Sequence, residues 1–311
     1  MAARADELSI VSTVDPSGQR NFDYYADANV FEAKVNLPVK LNTDDQNFSK
    51  ISGAQPQNIV HTVAPLSADQ RYFSYTCAYS ELSAQYDTAN QGYQTTATGV
   101  VTGLNILNVL TADKVVGQIS TFYPEGDAVP TVSFLGTQFQ NLCIHGQPLV
   151  PNQNLGIFGA KPANDGSYFD DAAALSQISA QYYAIVSNPA LPASLKSHYS
   201  WTPATANTTN KLKCSLANSV SGVPSTDSTC GNVIVMPGFG EIFLEQVELT
   251  RTADPDSPDG YDYMFSLEMI RIELQGIGSG TIRIVALDTN GSGSTGPHPA
   301  PPSKPPKKPK S

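Results

Sequence analysis

The sequence predicts an all-β protein, mainly an antiparallel β-sandwich with one packed α-helix near residues 170–187; a β-solenoid is the alternative. Three observations lead there. Hydrophobic residues make up 40% of the 311 and charged residues only 15%, against roughly 25% in an average soluble chain. Segments rich in Val, Ile, Thr and aromatic residues recur between Gly and Pro breaks, as sheet strands do. Only one window carries apolar residues at helical spacing. A chain of this length buries a full core, as one large all-β domain or two smaller ones.

Taken in order, "AKVNLPVKLN" alternates Val35, Leu37, Val39 and Leu41 on one face, and Pro38 marks an edge strand. "QRYFSYTCAYSEL" is aromatic and extended. "YQTTATGVVTGLNILNVLTADKVVGQISTFYP" reads as several successive strands punctuated by Gly99, Gly103 and Gly117. "TVSFLGTQFQNLCIHGQPLV" adds two more that meet near Gly136. In "SYFDDAAALSQISAQYYAIVSNP", Leu175, Ile178, Tyr182, Ile185 and Val186 recur with helical period. Asp170 or Asp171 is its N-cap and Pro189 its stop. The Pro-, Ser-, Thr- and Asn-rich stretch 188–232 reads as a long excursion and a candidate sub-boundary. "GEIFLEQVELTR", "YDYMFSLEMIRIELQG" and "GTIRIVALDT" form a three-strand meander. The plan is a β-rich body over 1–290, then a flexible Gly/Ser joint and Pro/Lys-rich tail over 291–311.

The formal net charge is −10, and the one dense basic cluster is Lys304, Lys307, Lys308 and Lys310 in the tail. Without them 14 basic residues face 28 acidic ones. An acidic body repels phosphate backbones, so specific nucleic-acid binding is not expected. No apolar run is long enough for a transmembrane segment. "MAARADELSI" lacks the apolar core of a signal peptide, while "ARADE" suits a mature terminus left after signal removal. The polar, weakly charged composition points the same way, to an extracellular or cell-surface protein; a cytoplasmic one is the alternative. Proline keeps the tail extended, at about 3.1 Å per residue where polyproline-like. Its lysines suit acidic wall polymers or lipid surfaces, which makes the tail an adhesive spacer.

The four cysteines, Cys77, Cys143, Cys214 and Cys230, form no CxxC, a poor zinc pattern. An even count in an exported chain favours disulfides. Cys214 and Cys230 bracket a loop with no hydrophobic period and are the expected local bridge, with Cys77–Cys143 left by elimination among three connectivities.

"VTGLNILNVLTADKV" (101–115), "FLGTQFQNLCIHGQPL" (134–149) and "PGFGEIFLEQ" (237–246) occur in that order. They resemble the Gly-Leu/Thr-Ala-Asp-x-Val, Phe-x-x-Leu-x-(Val/Ile)-x-Gly and Gly-x-Gly-x-(Ile/Val)-x-Leu elements of bacterial choice-of-anchor surface proteins. The resemblance spans about half the chain. It implies a β-rich extracellular body joined to a C-terminal anchor, and it brings no activity with it. The chain departs from the group at His145, where Asn is usual, and in ending on a Pro/Lys tail rather than a hydrophobic helix or sorting signal.

No nucleotide, zinc-protease or serine-hydrolase motif is present, and no catalytic residue is assigned. "GFGEIF" and "GIGSG" sit among strands and read as bulges or turns. In "TADPDSPDGYDY", Asp254, Asp256, Asp259 and Asp262 offer the hard oxygen ligands that calcium takes, although the spacing is not that of an EF-hand. A solvated hairpin turning at Asp259-Gly260 is the competing interpretation. Carboxylate chemistry needs two acids about 5–10 Å apart. Glu241 and Glu245 share a face of a regular strand at about 13 Å, and Glu268 and Glu273 fall on opposite faces. Ligand binding needs less: Trp201, Tyr24 and Tyr25 offer flat faces with polar edges suited to sugars or protein. The sequence thus supports a non-catalytic extracellular protein that binds a wall or extracellular polymer, a protein partner or itself. A polysaccharide-active hydrolase using surface carboxylates is the alternative.

Overall fold

The computed structural model describes residues 22–37, 40–43, 48–66, 72–125, 129–159, 166–189, 191–198, 206–254, 260–276 and 278–290. The chain runs β1 (Tyr24–Leu37), β2 (Leu41–Asn42), β3 (Phe48–Gly53), β4 (Gln57–Val63), β5 (Phe73–Ser74), β6 (Cys77–Asp87), β7 (Gly92–Ile106) and β8 (Leu110–Pro124). Short strands follow: β9 (Thr131–Ser133), β10 (Gln138–Gln140), β11 (Cys143–Ile144), β12 (Gln147–Pro148) and β13 (Val150–Gln153). Helices α1 (Ala172–Val186), α2 (Ala193–His198) and α3 (Ala206–Thr209) come next. The chain then forms β14 (Lys211–Ser215), β15 (Ala217–Ser221), β16 (Ser228–Cys230), β17 (Val233–Met236), β18 (Gly240–Ala253), β19 (Tyr261–Leu274) and β20 (Ser279–Asn290).

All pairings among these strands are antiparallel. The first sheet runs β16-β17-β18-β19-β20-β1-β2, with β14 also on β18 and β3 also on β1. The second runs β12-β11-β8-β7-β6-β4, with β9 and β10 on β8 and β5 on β7. Strands β13 and β15 form a small third sheet. The two large sheets enclose one main core, so the fold is the expected all-β sandwich.

The sheets meet where they have least side chain. Gly99 and Gly117 stand directly opposite each other on β7 and β8. A Cβ at either position would lie 2.7 Å from Val285 Cγ1 of the facing sheet. These glycines are therefore contact points inside long strands rather than breaks between short ones.

Across the first sheet runs a row that shifts the in–out alternation. Val30, Val285, Met269 and Glu245 sit in line on β1, β20, β19 and β18, each between paired neighbours. Before the row β1 buries Tyr24, Ala26, Ala28 and Val30; after it, Phe31, Ala33 and Val35. Strand β19 likewise buries Phe265, Leu267 and Met269, then Ile270, Ile272 and Leu274. Glu245 and Val285 take positive φ, 52° and 53°. A one-residue slip in one strand alone would turn its apolar set to solvent. Because the four strands shift together, the register survives.

Asp171 is the N-cap of α1, its Oδ1 accepting from the Ala173 and Ala174 amides at 2.8 and 3.2 Å. Ile178 and Ile185 are buried, each contributing about 1.5–3 kcal/mol. The helix ends at Val186, ahead of Pro189.

Several expectations need correction. Residues 33–42 do not form one strand: β1 ends at Leu37, which is 54% exposed, and β2 folds back so that Leu41 opposes Val35. The segment 131–148 holds four short strands, and 188–232 carries α2, α3 and β14–β16 rather than a bare excursion. Neither disulfide forms, and all four cysteines are free thiols. Cys77 opposes Thr102 and Cys143 opposes Thr111, placing them three strands apart, about 14 Å at ~4.8 Å per strand. Cys214 opposes Val247, whereas Cys230 reaches β18 through Val233 at Phe243, about 13 Å further along. Bridged Cα atoms lie within about 7 Å. Cys230 instead donates to the Ala184 carbonyl at 3.2 Å, and burial pushes the Cys214 thiol up from its ordinary value.

A candidate ligand groove on the charged face

Helix α1 lies over the outer face of the first sheet. Ile185 joins Leu191, Leu195, Val233 and Phe243 in a small satellite core there. Gln181 fastens the helix to β14 in both directions: Nε2 donates to the Ser215 carbonyl at 2.9 Å, and Oε1 accepts from the Ser215 amide at 3.0 Å. Beside the helix the sheet face stays open as a groove of about 350 Å³, with the half-buried Tyr182 on its helix side.

The floor of the groove is charged because of the alternation shift. An odd separation puts Glu268 and Glu273 on opposite faces of a regular strand. The shift at Met269 returns both, with Arg271, to the outer face. The same shift separates Glu241 from Glu245. Glu245 lines up with the core residues Met269 and Val285, whereas Glu241 alternates with buried Ile242 and Leu244.

The outer charges are paired. Arg283 donates from Nε to Glu268 and from Nη1 to Glu32 at 3.2 Å. Burial pulls down the pKa of this guanidinium, but Glu268 and Glu32 more than reverse that and hold it above its ordinary value. Arg271 bonds Glu273 at 2.5 Å, and Lys211 and Lys213 meet Glu248 at 2.6 and 3.2 Å. At the far end Asp288, which lines the groove, stands opposite Asp27. Burial, then the Asp288 charge, raises the Asp27 carboxyl well above the usual carboxylate range. The Tyr25 hydroxyl donates to Asp27 Oδ2 at 2.6 Å, and Lys50 lies 4.6 Å from the centre of the Tyr25 ring.

Behind the floor, Glu245 is fully buried. Gln153 Nε2 donates to its Oε1, and its Oε2 has no partner among the described residues. Burial pushes its carboxyl up to about 7, opposed in part by the Gln153 bond.

The residues singled out in the sequence scatter. Tyr24 and Tyr25, adjacent on a strand, point to opposite faces. Tyr24 is core, packed edge-on against Phe22, while Tyr25 belongs to the Asp27 cluster. Asp254 and Asp262 flank the β18–β19 hairpin, which the Asp254 amide closes by donating to the Gly260 carbonyl at 2.8 Å. Asp256, Asp259, Trp201, Lys304, Lys307, Lys308 and Lys310 lie outside the described residues. Among the described residues no group of three or more His, Cys, Asp or Glu is placed to hold a metal ion. The groove residues Glu268, Arg271 and Arg283 were missed as a site. Their signal was present, as charges spaced among the apolar residues of "LEMIRIEL" and "TIRIV".

No curated protein and no solved structure matches the chain. One family does: the sequence pattern of DUF8256, a domain of unknown function, matches residues 22–250 and stops inside β18, whose ladder continues through β19 and β20. The protein belongs to the DUF8256 family.

Proposed function

We propose that this protein is a non-catalytic extracellular or cell-surface binding module that holds an uncharged saccharide in the groove beside α1. One observation carries this: the groove's Arg, Lys and Glu side chains are already committed to one another. A charged ligand would have to break those pairs. A sugar hydroxyl, which donates and accepts, uses the N–H groups and lone pairs that the pairs leave over. Tyr182 supplies a flat apolar wall for a pyranose ring. The volume falls in the roughly 300–1,000 Å³ range of small-ligand sites. The low-charge composition and the resemblance to choice-of-anchor proteins support the location, with the Pro/Lys tail as an adhesive spacer.

Hydrolysis is the second reading, because Glu268 and Asp288 are diagonal neighbours on adjacent strands. That puts them about 7–8 Å apart, within the inverting-glycosidase range. Against it, Glu268 is held by Arg283. The full chain incubated with cell-wall and extracellular polysaccharides is expected to be retained without releasing new reducing ends. Arg283→Ala is expected to weaken retention at least tenfold. New reducing ends would replace this reading with the hydrolase, and absence of retention on every polymer would remove it.

A further inference from the structure

Glu245 stands where three pieces of the structure meet. Its backbone carbonyl on β18 accepts from the Leu216 amide, in the link between β14 and β15, at 3.0 Å. Its Oε1 accepts from Gln153 on β13, the strand that pairs with β15. Among the described residues the β13–β15 ribbon pairs with neither large sheet, and a two-stranded ribbon alone is marginal in water. The bonds at Glu245 tie this ribbon to β18.

The ribbon in turn holds α1. Asn154, next to Gln153, donates from its amide to the Leu216 carbonyl at 2.6 Å and from Nδ2 to Gln177 Oε1 at 2.8 Å. On β15, Asn218 Oδ1 accepts from Gln181 Nε2 at 2.7 Å. Gln181 and its neighbour Tyr182 both line the groove. A continuous path therefore runs from Glu245 through the ribbon to the helix wall of the groove.

Only a neutral carboxyl suits that position. A buried carboxylate needs a cation or hydrogen bonds to both oxygens, and Oε2 has no partner among the described residues. The surrounding elements supply no countercharge. Strands β13, β15 and β17 carry no acid or base, and α1 carries only Tyr182 and Tyr183 as titratable groups. On β14, Lys211 and Lys213 are taken by Glu248, and the Cys214 thiol is buried and neutral. On β19, Arg271 is taken by Glu273, and Glu268 is held by Arg283 of β20. From the second sheet, Gly117 faces Val285 and Met269 of the same row.

We propose that Glu245 is a positioning residue for the groove and its proton-operated latch. Protonated, it seats the ribbon and with it α1. Ionised, it is drawn toward water past the partly exposed Gln153, the ribbon lifts, and the groove loses its helix wall. The latch stands on the fold alone, whereas its effect on affinity rests on the saccharide-binding proposal. Because the folded carboxyl is raised to about 7, the latch is set in acid and released as pH rises through that value.

Amide NMR of the ligand-free chain between pH 5 and pH 8 tests the latch. The side-chain amides of Gln153, Gln177 and Gln181 and the α1 backbone are expected to titrate together in the native chain and to stay flat in Glu245→Gln. Gln153→Leu is expected to show the loosened helix already at pH 5. Asp27, also raised, titrates at the far end of the groove, so Asp27→Asn is expected to leave the α1 titration in place. With a neutral glucan hexasaccharide as probe, about one molecule in eleven is latched at pH 8, so affinity is expected to be about tenfold weaker than at pH 5. In Glu245→Gln the two affinities are expected to be equal. Flat α1 signals in the native chain, or a titration that survives Glu245→Gln, overturns the latch whether or not the sugar binds. A titrating helix with pH-independent affinity overturns the positioning role. A titrating helix with no sugar bound at either pH supports the latch and overturns the saccharide proposal instead.

Discussion

The two outer faces of this sandwich are built from different polar chemistry. On the second sheet the groups hydrogen-bonded to one another along β6–β8 are neutral, with Glu81 exposed beside them. Gln85 donates to Gln94 at 2.9 Å and Gln94 to Ser120 at 3.2 Å; Ser120 bonds Thr96 at 2.9 Å, and Gln118 donates to Thr98 at 3.1 Å. On the first sheet the corresponding surface is a chain of ion pairs around Arg283, Arg271 and Glu248. Neutral bonds contribute about 0.5–1.5 kcal/mol each and partly exposed ion pairs about 0–1, so charge gives the first sheet no advantage in stability. What charge does supply is fixed, directional groups beside a groove. The proposed binding role would give the ionic face its use, whereas simple satisfaction of polar groups accounts for the bonds on the other.

The comparison can be pressed hardest through pH, because Glu245 belongs to the first sheet alone. Its folded pKa of about 7 lies above the unfolded value of about 4.5. The stability tied to the neutral carboxyl is complete below about pH 4.5 and is lost as pH rises through about 7. Urea unfolding is expected to show lower stability at pH 8 than at pH 5, with about 2.5 kcal/mol of the difference from Glu245, and Glu245→Gln to remove that part. Asp27, also raised, acts in the same direction.

Gly117→Val tests the place where the sheets touch. The added side chain meets Val285 and Met269, and overpacking of this kind costs about 1–3 kcal/mol, read as a lower urea midpoint. Arg283→Ala tests the ionic face itself. With the guanidinium partly exposed, the stability loss is held to about 1 kcal/mol, and the salt dependence of unfolding is expected to shrink. Gln118→Ala on the neutral face has the smallest expected effect, within about 0.5 kcal/mol and unchanged by salt.

The parts of this design that follow a single strand or helix were legible in the sequence. Ile178 and Ile185 repeat with helical period behind an Asp cap, and the last three strands are apolar and turn-separated enough to read as a meander. The rest depends on relations between strands. Nothing local to Glu245 or Met269 announces that four strands shift phase on one row, so parity placed Glu268 and Glu273 on opposite faces and Glu241 with Glu245 on one. Gly99 and Gly117 look like breaks until β7 and β8 pair them. Cys214 and Cys230 bracket a short loop, yet the ladder through Val233 and Phe243 holds them apart. Tyr182 keeps the place its helical period on α1 gives it, partly buried against the core, and the sequence does not show that it also lines a groove. The groove exists only where that helix and the shifted floor meet.

The central claim is that the ionic face binds a neutral saccharide and the neutral face does not. Backbone-amide NMR during titration with neutral and acidic oligosaccharides tests it most directly. The account predicts shifts concentrated around Tyr182 of α1 and the outer residues of β18, β19 and β20, with β6–β8 silent and the sugar recovered intact. Shifts centred on β6–β8, a preference for acidic sugars, or cleavage of the titrant would contradict it.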